Sequence, residues 1–267
     1  MEPGANIPIA SVPNLRDLGG WPTKEGRQVR RGLLYRSTEL DKLQGTDMAA
    51  FAKLGIRTVF DLRTEAERQA QPDRVPAGSE QIVCDVLAGA SDAAPAQLQK
   101  VISNPKGADA LLGDGRAVAL LEQGYRQIVS LPSALDAYGR FFSSLVEEKH
   151  RPALFHCTTG KDRTGWAAAS MLTFLGVSED DVLKDYLLTN DQLLPALQSF
   201  VEGFQAAGGD PELLRPVLGV RREYLEVAFD EMRQRFGSLE GYFTNGLRID
   251  SAIQERLKAI YTQRAAR

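Results

Sequence analysis

Short apolar runs alternate with amphipathic segments along the first two thirds of the chain. Four runs rich in apolar and β-branched residues have the length of strands: 33–37, 57–63, 81–86 and 152–155. Segments with helical spacing lie between or after them and begin at residues 46, 64, 117, 133 and 165. Strands that alternate with helices indicate βαβ units and a largely parallel sheet.

Particular residues predict where several of these helices begin. Thr46 is the expected N-cap of the first helix. Acidic residues follow Thr64, where the helix dipole favours them. Ser133 and Asp136 form a capping box of the shorter-acid type. The segment 165–172 is apolar on nearly every side, which predicts a helix in the centre of the fold.

The C-terminal third of the chain is predicted to be helical. The expected helices cover 179–188, 192–206, 211–217, 221–236 and 250–261. No Pro-, Gly- or Ser-rich linker divides the sequence. We therefore expect one α/β domain over residues 1–267, with a four- to five-stranded, mostly parallel sheet flanked by helices.

Residues 88–131 interrupt this regular pattern. Ala, Gly, Asp and Pro dominate the first half of the segment, and its second half has helical spacing over 117–129. An insertion of this length between a strand and the next helix is long for a connection and is often a lid. We call residues 88–131 the lid segment.

Composition narrows the classes of function. The chain has 267 residues and a formal charge of −3, from 32 basic and 35 acidic side chains. No basic footprint for nucleic acid is present, so no nucleic-acid partner is expected. The longest apolar stretch, 166–177, is too short for an integral membrane segment. The N-terminus lacks the pattern of a signal peptide, which predicts a cytoplasmic protein or one exported without a visible cleavable signal.

Residues 156–165, with the sequence HCTTGKDRTG, carry the candidate chemistry. A cysteine precedes an arginine by six positions, between a predicted strand and a predicted helix. Such a turn aims backbone N–H groups at one point, and the helix dipole adds positive potential there. This geometry suits a tetrahedral dianion and also favours a thiolate. We call residues 157–163 the Cys–Arg loop.

Each side chain of this stretch has a predicted role. Cys157 is the expected nucleophile, and Arg163 is expected to grip two oxygens of the anion with its planar fork. His156 is predicted to hold the loop and help keep Cys157 ionised, while Thr164 donates to the sulfur or caps the helix. The predicted anion site consists of Thr158, Thr159, Gly160, Lys161, Asp162 and Arg163.

Lys161 and Asp162 are the variable positions of the loop. A second cation at Lys161 suits a polyphosphorylated ligand such as a phosphoinositide headgroup. Asp162 beside an anion is either a general acid that protonates the leaving oxygen or the partner of a structural salt bridge. Asp85 and Asp92 are the rival candidates for the general acid.

Two cysteines, Cys84 and Cys157, do not make a disulfide scaffold. The alternatives for Cys157 are a buried core cysteine and a zinc ligand, and a zinc site lacks further ligands nearby. Cys84 is a packed core residue or a candidate redox partner. In the second case it would form a reversible disulfide with Cys157 under peroxide.

The loop resembles that of the cysteine-dependent protein tyrosine phosphatase superfamily, and Gly160–Arg163 is similar to its bacterial atypical branch. Further blocks carry the same resemblance: Asn14–Gly20, Tyr35–Ser37, Asp61–Arg63, Asp185–Asp191, Gly219–Leu225 and Phe236–Leu239. Leu15 stands where the family usually has Phe.

The resemblance implies a sheet of four or five strands wrapped by helices, a helical lid, and no metal or organic cofactor. It also implies a two-step mechanism through phosphocysteine and a broad range of substrates. Phosphorylated proteins and phosphoinositides are the expected partners. Two alternatives stay open at this point: a pseudophosphatase that only binds phosphorylated ligands, and a rhodanese-like sulfurtransferase.

Overall fold

The computed structural model describes residues 2–90, 101 and 103–265. Its strands, in chain order, are β1 (Arg16–Asp17), β2 (Arg27–Val29), β3 (Leu34–Ser37), β4 (Thr58–Asp61), β5 (Glu80–Val83), β6 (Ala153–His156) and β7 (Thr262–Arg264). Five of them form a sheet in the order β1-β3-β6-β4-β5, and β2 pairs with β7. The strands β3, β6, β4 and β5 run parallel, and β1 is antiparallel to β3. The prediction of a mostly parallel sheet is confirmed.

The register brings the carboxyl ends of four strands to one edge. His156 lies opposite Ser37 of β3 on one side and Asp61 of β4 on the other. Asp61 in turn lies opposite Val83 of β5. The residues that follow these strands, Cys157 among them, therefore leave the sheet at the same edge, where ligands bind in parallel α/β sheets.

Helices cover both faces of the sheet and form most of the C-terminal third. In chain order they are α1 (Gly45–Ala52), α2 (Glu65–Ala70), α3 (Ala108–Leu112), α4 (Arg116–Ser130), α5 (Pro132–Ser144), α6 (Asp162–Phe174), α7 (Glu179–Leu193), α8 (Gln198–Ala206), α9 (Arg215–Leu218), α10 (Arg222–Phe236), α11 (Leu239–Gly241) and α12 (Ser251–Tyr261). Short 3₁₀ turns cover Pro105–Gly107, Glu148–His150, Leu194–Leu197 and Pro211–Leu214, and a π turn covers Tyr242–Gly246. Among the described residues, none of these helices combines the length and the apolar character that crossing a membrane requires.

Helix α6 lies in the centre of the fold, as its sequence predicts. Its side chains are buried from Arg163 to Leu172. One apolar cluster joins α6 to α5, α7 and α10, and a second cluster covers the opposite face of the sheet around Phe51 of α1. The loop that precedes α6 is therefore fixed between a buried strand and a buried helix.

Three helix ends differ from the prediction. Helix α1 begins at Gly45, because Gln44 and not Thr46 has the extended N-cap conformation. Helix α5 begins at Pro132, and the Ser133 hydroxyl donates to the carbonyl of Val86 instead of capping. The helix expected over 192–206 is divided, since α7 continues to Leu193 and a 3₁₀ turn that contains Pro195 precedes α8. Proline lacks the N–H that a continuous helix needs there.

The described part of the lid segment ends in a helix that packs on the C-terminal third. Helix α4 packs against α10, and the ring of Tyr125 stacks on Tyr224 at a centroid distance of 5.6 Å. Tyr125 is buried and faces the beginning of α6. Its function as a lid stays a prediction.

Candidate active site

The Cys–Arg loop connects β6 to α6 and passes under the sheet edge. Cys157 follows the last residue of β6 and is 2 % exposed. Gly160 has a φ of +65°, and a Cβ at this position would lie 2.1 Å from the carbonyl oxygen of Ser37. Only glycine fits both the left-handed backbone and this close approach to β3.

Two side chains hold the loop from beneath through the carbonyl of Gly160. Asn14 Nδ2 donates to it at 3.0 Å, and Arg36 Nη2 donates at 2.8 Å. Asn14 itself has a φ of 59°, a conformation that asparagine tolerates better than most residues. Both side chains are buried.

Arg16 and Arg36 share one carboxylate, that of Asp185 on α7. Arg16 Nε lies 3.1 Å from Asp185 Oδ1, and Arg36 Nη1 lies 2.9 Å from Oδ2. Burial by itself raises the pKa of the Asp185 carboxyl, but the two arginines hold it below its ordinary value. Burial and the neighbouring Arg16 lower the pKa of Arg36 to about 10, so it stays charged at neutral pH. We call these three residues the Arg16–Asp185–Arg36 cluster.

Glu67 of α2 fixes the guanidinium of Arg163. Its Oε2 accepts from Nη1 and its Oε1 from Nη2, each at 2.7 Å. The same carboxylate accepts from Thr158 Oγ1 at 2.5 Å and from the backbone N–H of Thr64, which caps α2. Burial raises the pKa of Glu67, but the bonds from Arg163 outweigh it and hold the pKa far below its ordinary value.

The acidic neighbours of His156 favour its imidazolium form. Its Nε2 lies 3.1 Å from Asp73 Oδ2, and its Nδ1 lies 3.0 Å from the carbonyl oxygen of Cys157. Burial lowers the pKa of His156, yet Asp73 and Asp61 raise it to about 9. A protonated ring that bonds the Cys157 carbonyl supports the predicted role in holding the loop, and it is unsuited to act as a base.

Arg63 pairs with the carboxylates that lie around His156. Its Nη2 lies 2.7 Å from Asp61 Oδ2 and 2.7 Å from Asp73 Oδ2, and its Nη1 lies 2.8 Å from Glu39. The possible ligand atoms of Asp61, Asp73 and His156 lie within 4.8 Å of one another. The arginine and the imidazolium take up these carboxylates, which makes the group a poor fit for a metal ion.

Lys161 and Asp162 form an ion pair with each other. Lys161 Nζ lies 2.8 Å from each carboxylate oxygen of Asp162. Tyr125 of the lid segment donates to Asp162 Oδ1 at 2.8 Å, and its oxygen lies 2.5 Å from the hydroxyl of Tyr186. Because the Tyr125 hydroxyl donates its hydrogen to Asp162, the Tyr186 hydroxyl is the donor in the bond between the two tyrosines. The salt-bridge alternative for Asp162 is therefore present in the structure, together with a direct contact to α4.

The remaining predicted site residues are Thr164, Asp85 and Asp92. The Thr164 hydroxyl is buried without a hydrogen-bond partner among the described residues. Asp85 follows β5 and lies 3.6 Å from Arg68, while its Oδ1 accepts from the backbone of Leu87. Asp92 lies outside the described residues.

Cys84 follows β5, and β4 separates it from Cys157. Burial raises the pKa of the Cys84 thiol to about 11, which makes it unreactive. Two strand spacings amount to about 10 Å, whereas a disulfide joins Cα atoms about 4.4–6.8 Å apart. A Cys84–Cys157 bridge therefore requires the backbone to move, and it stays a prediction.

Most of the residues that support the Cys–Arg loop carry no local signal in the sequence. Glu67 was visible only as an acid in the first turn of α2, and Tyr125 only as part of a helical pattern. Asn14, Arg36 and Asp185 were visible only within the blocks of the family resemblance. Their contacts with Gly160 and with each other join residues 124 to 149 positions apart, which no local pattern encodes.

Comparison with known proteins gives this geometry a family. The model of the tyrosine phosphatase family matches residues 7–263. The chain belongs to this family. It is 31% identical over 272 residues to the triple specificity protein phosphatase PtpB of Mycobacterium tuberculosis, with 92% of this chain and 95% of the relative covered.

Two further relatives agree with this assignment. A Cupriavidus necator protein with a provisional tyrosine-protein phosphatase name is 30% identical over 258 residues, which cover 92% of this chain and 86% of the relative. A tyrosine-protein phosphatase of Nostoc commune is 25% identical over 168 residues, which cover 63% of this chain and 52% of the relative. The protein is a protein phosphatase, a hydrolase of phosphorylated substrates, and the prediction of that activity is confirmed.

Proposed function

We propose that the phosphatase works through a phosphocysteine intermediate formed on Cys157. The observation that carries this is the position of Cys157, at the start of a loop whose Arg163 is oriented by Glu67. The Cys157 sulfur attacks phosphorus, and the bond from phosphorus to the leaving oxygen breaks. Water then attacks the same phosphorus, which releases inorganic phosphate and regenerates the thiolate.

Arg163 is the proposed phosphate grip. Glu67 occupies the edge of the guanidinium formed by Nη1 and Nη2. The edge formed by Nε and Nη2 then serves two oxygens of the phosphoryl group, with the backbone N–H groups of Thr158 to Arg163 around the others. Because the guanidinium is oriented beforehand, its charge stabilises the transition state without a reorganisation cost.

Asp162 is our preferred general acid. It lies at the first position of α6, and its carboxylate is oriented by Lys161 and Tyr125. To donate a proton to the leaving oxygen it must first accept one, and Lys161 must shift towards the substrate. Asp85 is the alternative, although its carboxylate already contacts Arg68 and the backbone N–H of Leu87. Asp92 stays a further candidate.

Thr164 is proposed to assist the second step, the hydrolysis of the phosphocysteine. Its hydroxyl is buried in the first turn of α6, directly after the Cys–Arg loop, and has no hydrogen-bond partner among the described residues. A hydrogen bond from this hydroxyl would stabilise the thiolate as it leaves the phosphocysteine.

We propose a broad substrate range that includes phosphotyrosine, phosphoserine or phosphothreonine, and monophosphorylated phosphoinositides. The support is Lys161, a second cation of the loop, and the triple specificity named for the Mycobacterium tuberculosis relative. Lys161 is 4 % exposed and paired with Asp162, so a headgroup must draw it out of that pair. The place of action, in the cytoplasm or after export, stays a prediction.

Two measurements test the proposal. Hydrolysis of para-nitrophenyl phosphate should be lost in Cys157→Ser, and activity in that variant would contradict the phosphocysteine step. Turnover of a phosphotyrosine peptide, a phosphoserine peptide and a monophosphorylated phosphoinositide should then be compared for wild type, Lys161→Ala and Asp162→Ala. If Lys161→Ala lowers lipid and peptide turnover equally, the headgroup argument fails.

A further inference from the structure

The Arg16–Asp185–Arg36 cluster holds more positive than negative charge. Arg16 and Arg36 are fully buried and Asp185 is 1 % exposed, so two cations share one anion inside the protein. The other side chains that contact Arg16 are neutral: Asn14, Thr189 and Gln192. The cluster therefore carries one net positive charge that water does not screen.

This excess charge is unusual within the described part of the chain, because every other cation around the loop has its own carboxylate. Arg163 is paired with Glu67 and Lys161 with Asp162. His156 is paired with Asp73, and Arg63 with Asp61. Tyr138, whose hydroxyl donates to the Arg163 carbonyl, is neutral because burial raises its pKa well above the ordinary value.

The cluster lies directly beneath the loop. Arg36 Nη2 bonds the Gly160 carbonyl, and β3 pairs with β6 so that Ser37 lies opposite His156. Arg36 itself lies opposite Phe155 of β6, two residues before Cys157, and a thiolate at Cys157 would oppose the lowering of the Arg36 pKa by burial. The Nε of Arg36 is buried without a hydrogen-bond partner among the described residues. The hydrogen bonds of Arg36 to Asp185 and Gly160 thus use two of its three nitrogens.

A buried charge without a counterion is costly, and an anion nearby offsets that cost. The two anions that the Cys–Arg loop is proposed to hold are the Cys157 thiolate and the phosphoryl group. We propose that the Arg16–Asp185–Arg36 cluster is an electrostatic positioning element whose net positive charge holds Cys157 in the thiolate form. This inference rests on the proposed nucleophilic role of Cys157.

Variants of opposite charge separate this role from simple support of the loop. Arg36→Met reduces the net charge of the cluster from +1 to 0 and preserves the length of the side chain. Gln192→Glu adds one negative charge to the cluster, because Gln192 Oε1 lies 3.5 Å from Arg16 Nη1, and it loses only the hydrogen bond that Gln192 Nε2 donates to the Gly4 carbonyl. Asp185→Asn raises the net charge to +2, with almost no change of shape.

The measurement is the rate of alkylation of Cys157 by iodoacetamide as a function of pH, followed by mass spectrometry of the Cys157 peptide. A neutral reagent avoids attraction to the loop, and the peptide readout separates Cys157 from Cys84. We expect the pH midpoint to rise by about one unit in Arg36→Met and about half a unit in Gln192→Glu. In Asp185→Asn we expect it to fall by about one unit.

The direction in which Asp185→Asn shifts the pH midpoint distinguishes an electrostatic role of the cluster from simple support of the loop. If the cluster only supports the loop, Asp185→Asn loosens it and the midpoint rises or stays, which would overturn the proposal. If Arg36→Met does not fold, the near-isosteric Gln192→Glu replaces it, and an unchanged midpoint there also overturns the proposal. Gln198→Glu, an exposed change of the same charge on α8, is the control and should leave the midpoint unchanged.

The outcome is independent of the proposed function. Alkylation reports the ionisation of Cys157, whereas turnover by Cys157→Ser reports whether the thiolate is the nucleophile. Shifted midpoints together with an active Cys157→Ser enzyme would preserve the electrostatic role and refute the phosphocysteine step. An inactive Cys157→Ser enzyme together with unshifted midpoints would support the phosphocysteine step and refute the electrostatic role.

Discussion

Glu67 holds both terminal nitrogens of Arg163, with one carboxylate oxygen 2.7 Å from each. The two residues are 96 positions apart in the sequence and come from helices that begin on neighbouring strands of the sheet. A charge-assisted, bidentate pair fixes the plane of the guanidinium as well as its position. Glu67 of α2, outside the Cys–Arg loop, therefore fixes the orientation of the Arg163 guanidinium.

Glu67→Gln should lower kcat/KM for para-nitrophenyl phosphate by about 10- to 100-fold, because a neutral amide orients the guanidinium less firmly. Glu65→Gln, an exposed change in the same helix, is the matched control and should retain wild-type activity. The affinity for inorganic phosphate, measured as product inhibition, should weaken in Glu67→Gln. Wild-type kinetics in Glu67→Gln would show that Arg163 does not depend on this carboxylate.

Gly160→Ala should abolish most of the activity, because its Cβ would lie 2.1 Å from the Ser37 carbonyl oxygen and displace the loop. Gly55→Ala is a close control, since both glycines have a φ of +65° but nothing lies within 4 Å of a Cβ at Gly55. Each variant should lose about 1 kcal/mol or more of folding stability from the backbone conformation. Urea denaturation and steady-state kinetics, measured together, should show a large loss of kcat only in Gly160→Ala. Equal kinetics in the two variants would contradict the close-approach argument.

Tyr125→Phe should slow the release of poor leaving groups. Removal of the hydroxyl frees Asp162 Oδ1 from α4, so a proton donor at Asp162 would be less well placed. We expect turnover of a phosphoserine peptide to fall by about 3- to 10-fold, with little change for para-nitrophenyl phosphate, whose leaving group needs no proton. The control is Tyr224→Phe, since Tyr224 stacks on Tyr125 but donates to the carbonyl of Pro216. Equal losses on both substrates would argue against Asp162 as the acid.

The stability of the protein should fall between pH 6.5 and 9. The pKa of His156 is raised to about 9 in the folded state, above its ordinary value of 6.5. Its ion pair with Asp73 therefore contributes fully below pH 6.5 and is lost as the pH rises through 9, which amounts to about 3 kcal/mol. Urea midpoints at pH 6 and pH 9 should show this slope in wild type. Asp73→Asn should be less stable at pH 6 and nearly independent of pH in this range; an unchanged slope would contradict the assignment.

Elements that depend on local signals were predictable from the sequence. The parallel sheet, α6 and the Cys–Arg loop follow from apolar runs and from the spacing of Cys157, Gly160 and Arg163. Helix ends were less predictable, because α1 begins at Gly45 and α5 at Pro132, although capping preferences favour Thr46 and Ser133 as the N-caps.

The supporting residues of the site were predictable only in part. Glu67 was visible as a residue of the first turn of α2, but not as the partner of an arginine on another helix. The sequence offers a salt bridge from Asp162 to a neighbouring basic group as one of two alternatives, but it shows neither that Lys161 is the partner nor that Tyr125 contacts the same carboxylate. Such contacts arise from how α2, α4 and α6 meet at the sheet edge, and tertiary packing of this kind leaves no periodic trace in the chain.

The small sheet of β2 and β7 ties the two ends of the fold together. Residues Arg27–Val29 pair with Thr262–Arg264, and Arg27 Nε donates to Thr262 Oγ1 at 2.8 Å. The strand β2 lies in the chain between Arg16 and Arg36, the two arginines beneath the loop. Shortening the chain after Tyr261 would thus remove β7, the partner strand of β2, and loosen the segment that carries both arginines beneath the Cys–Arg loop.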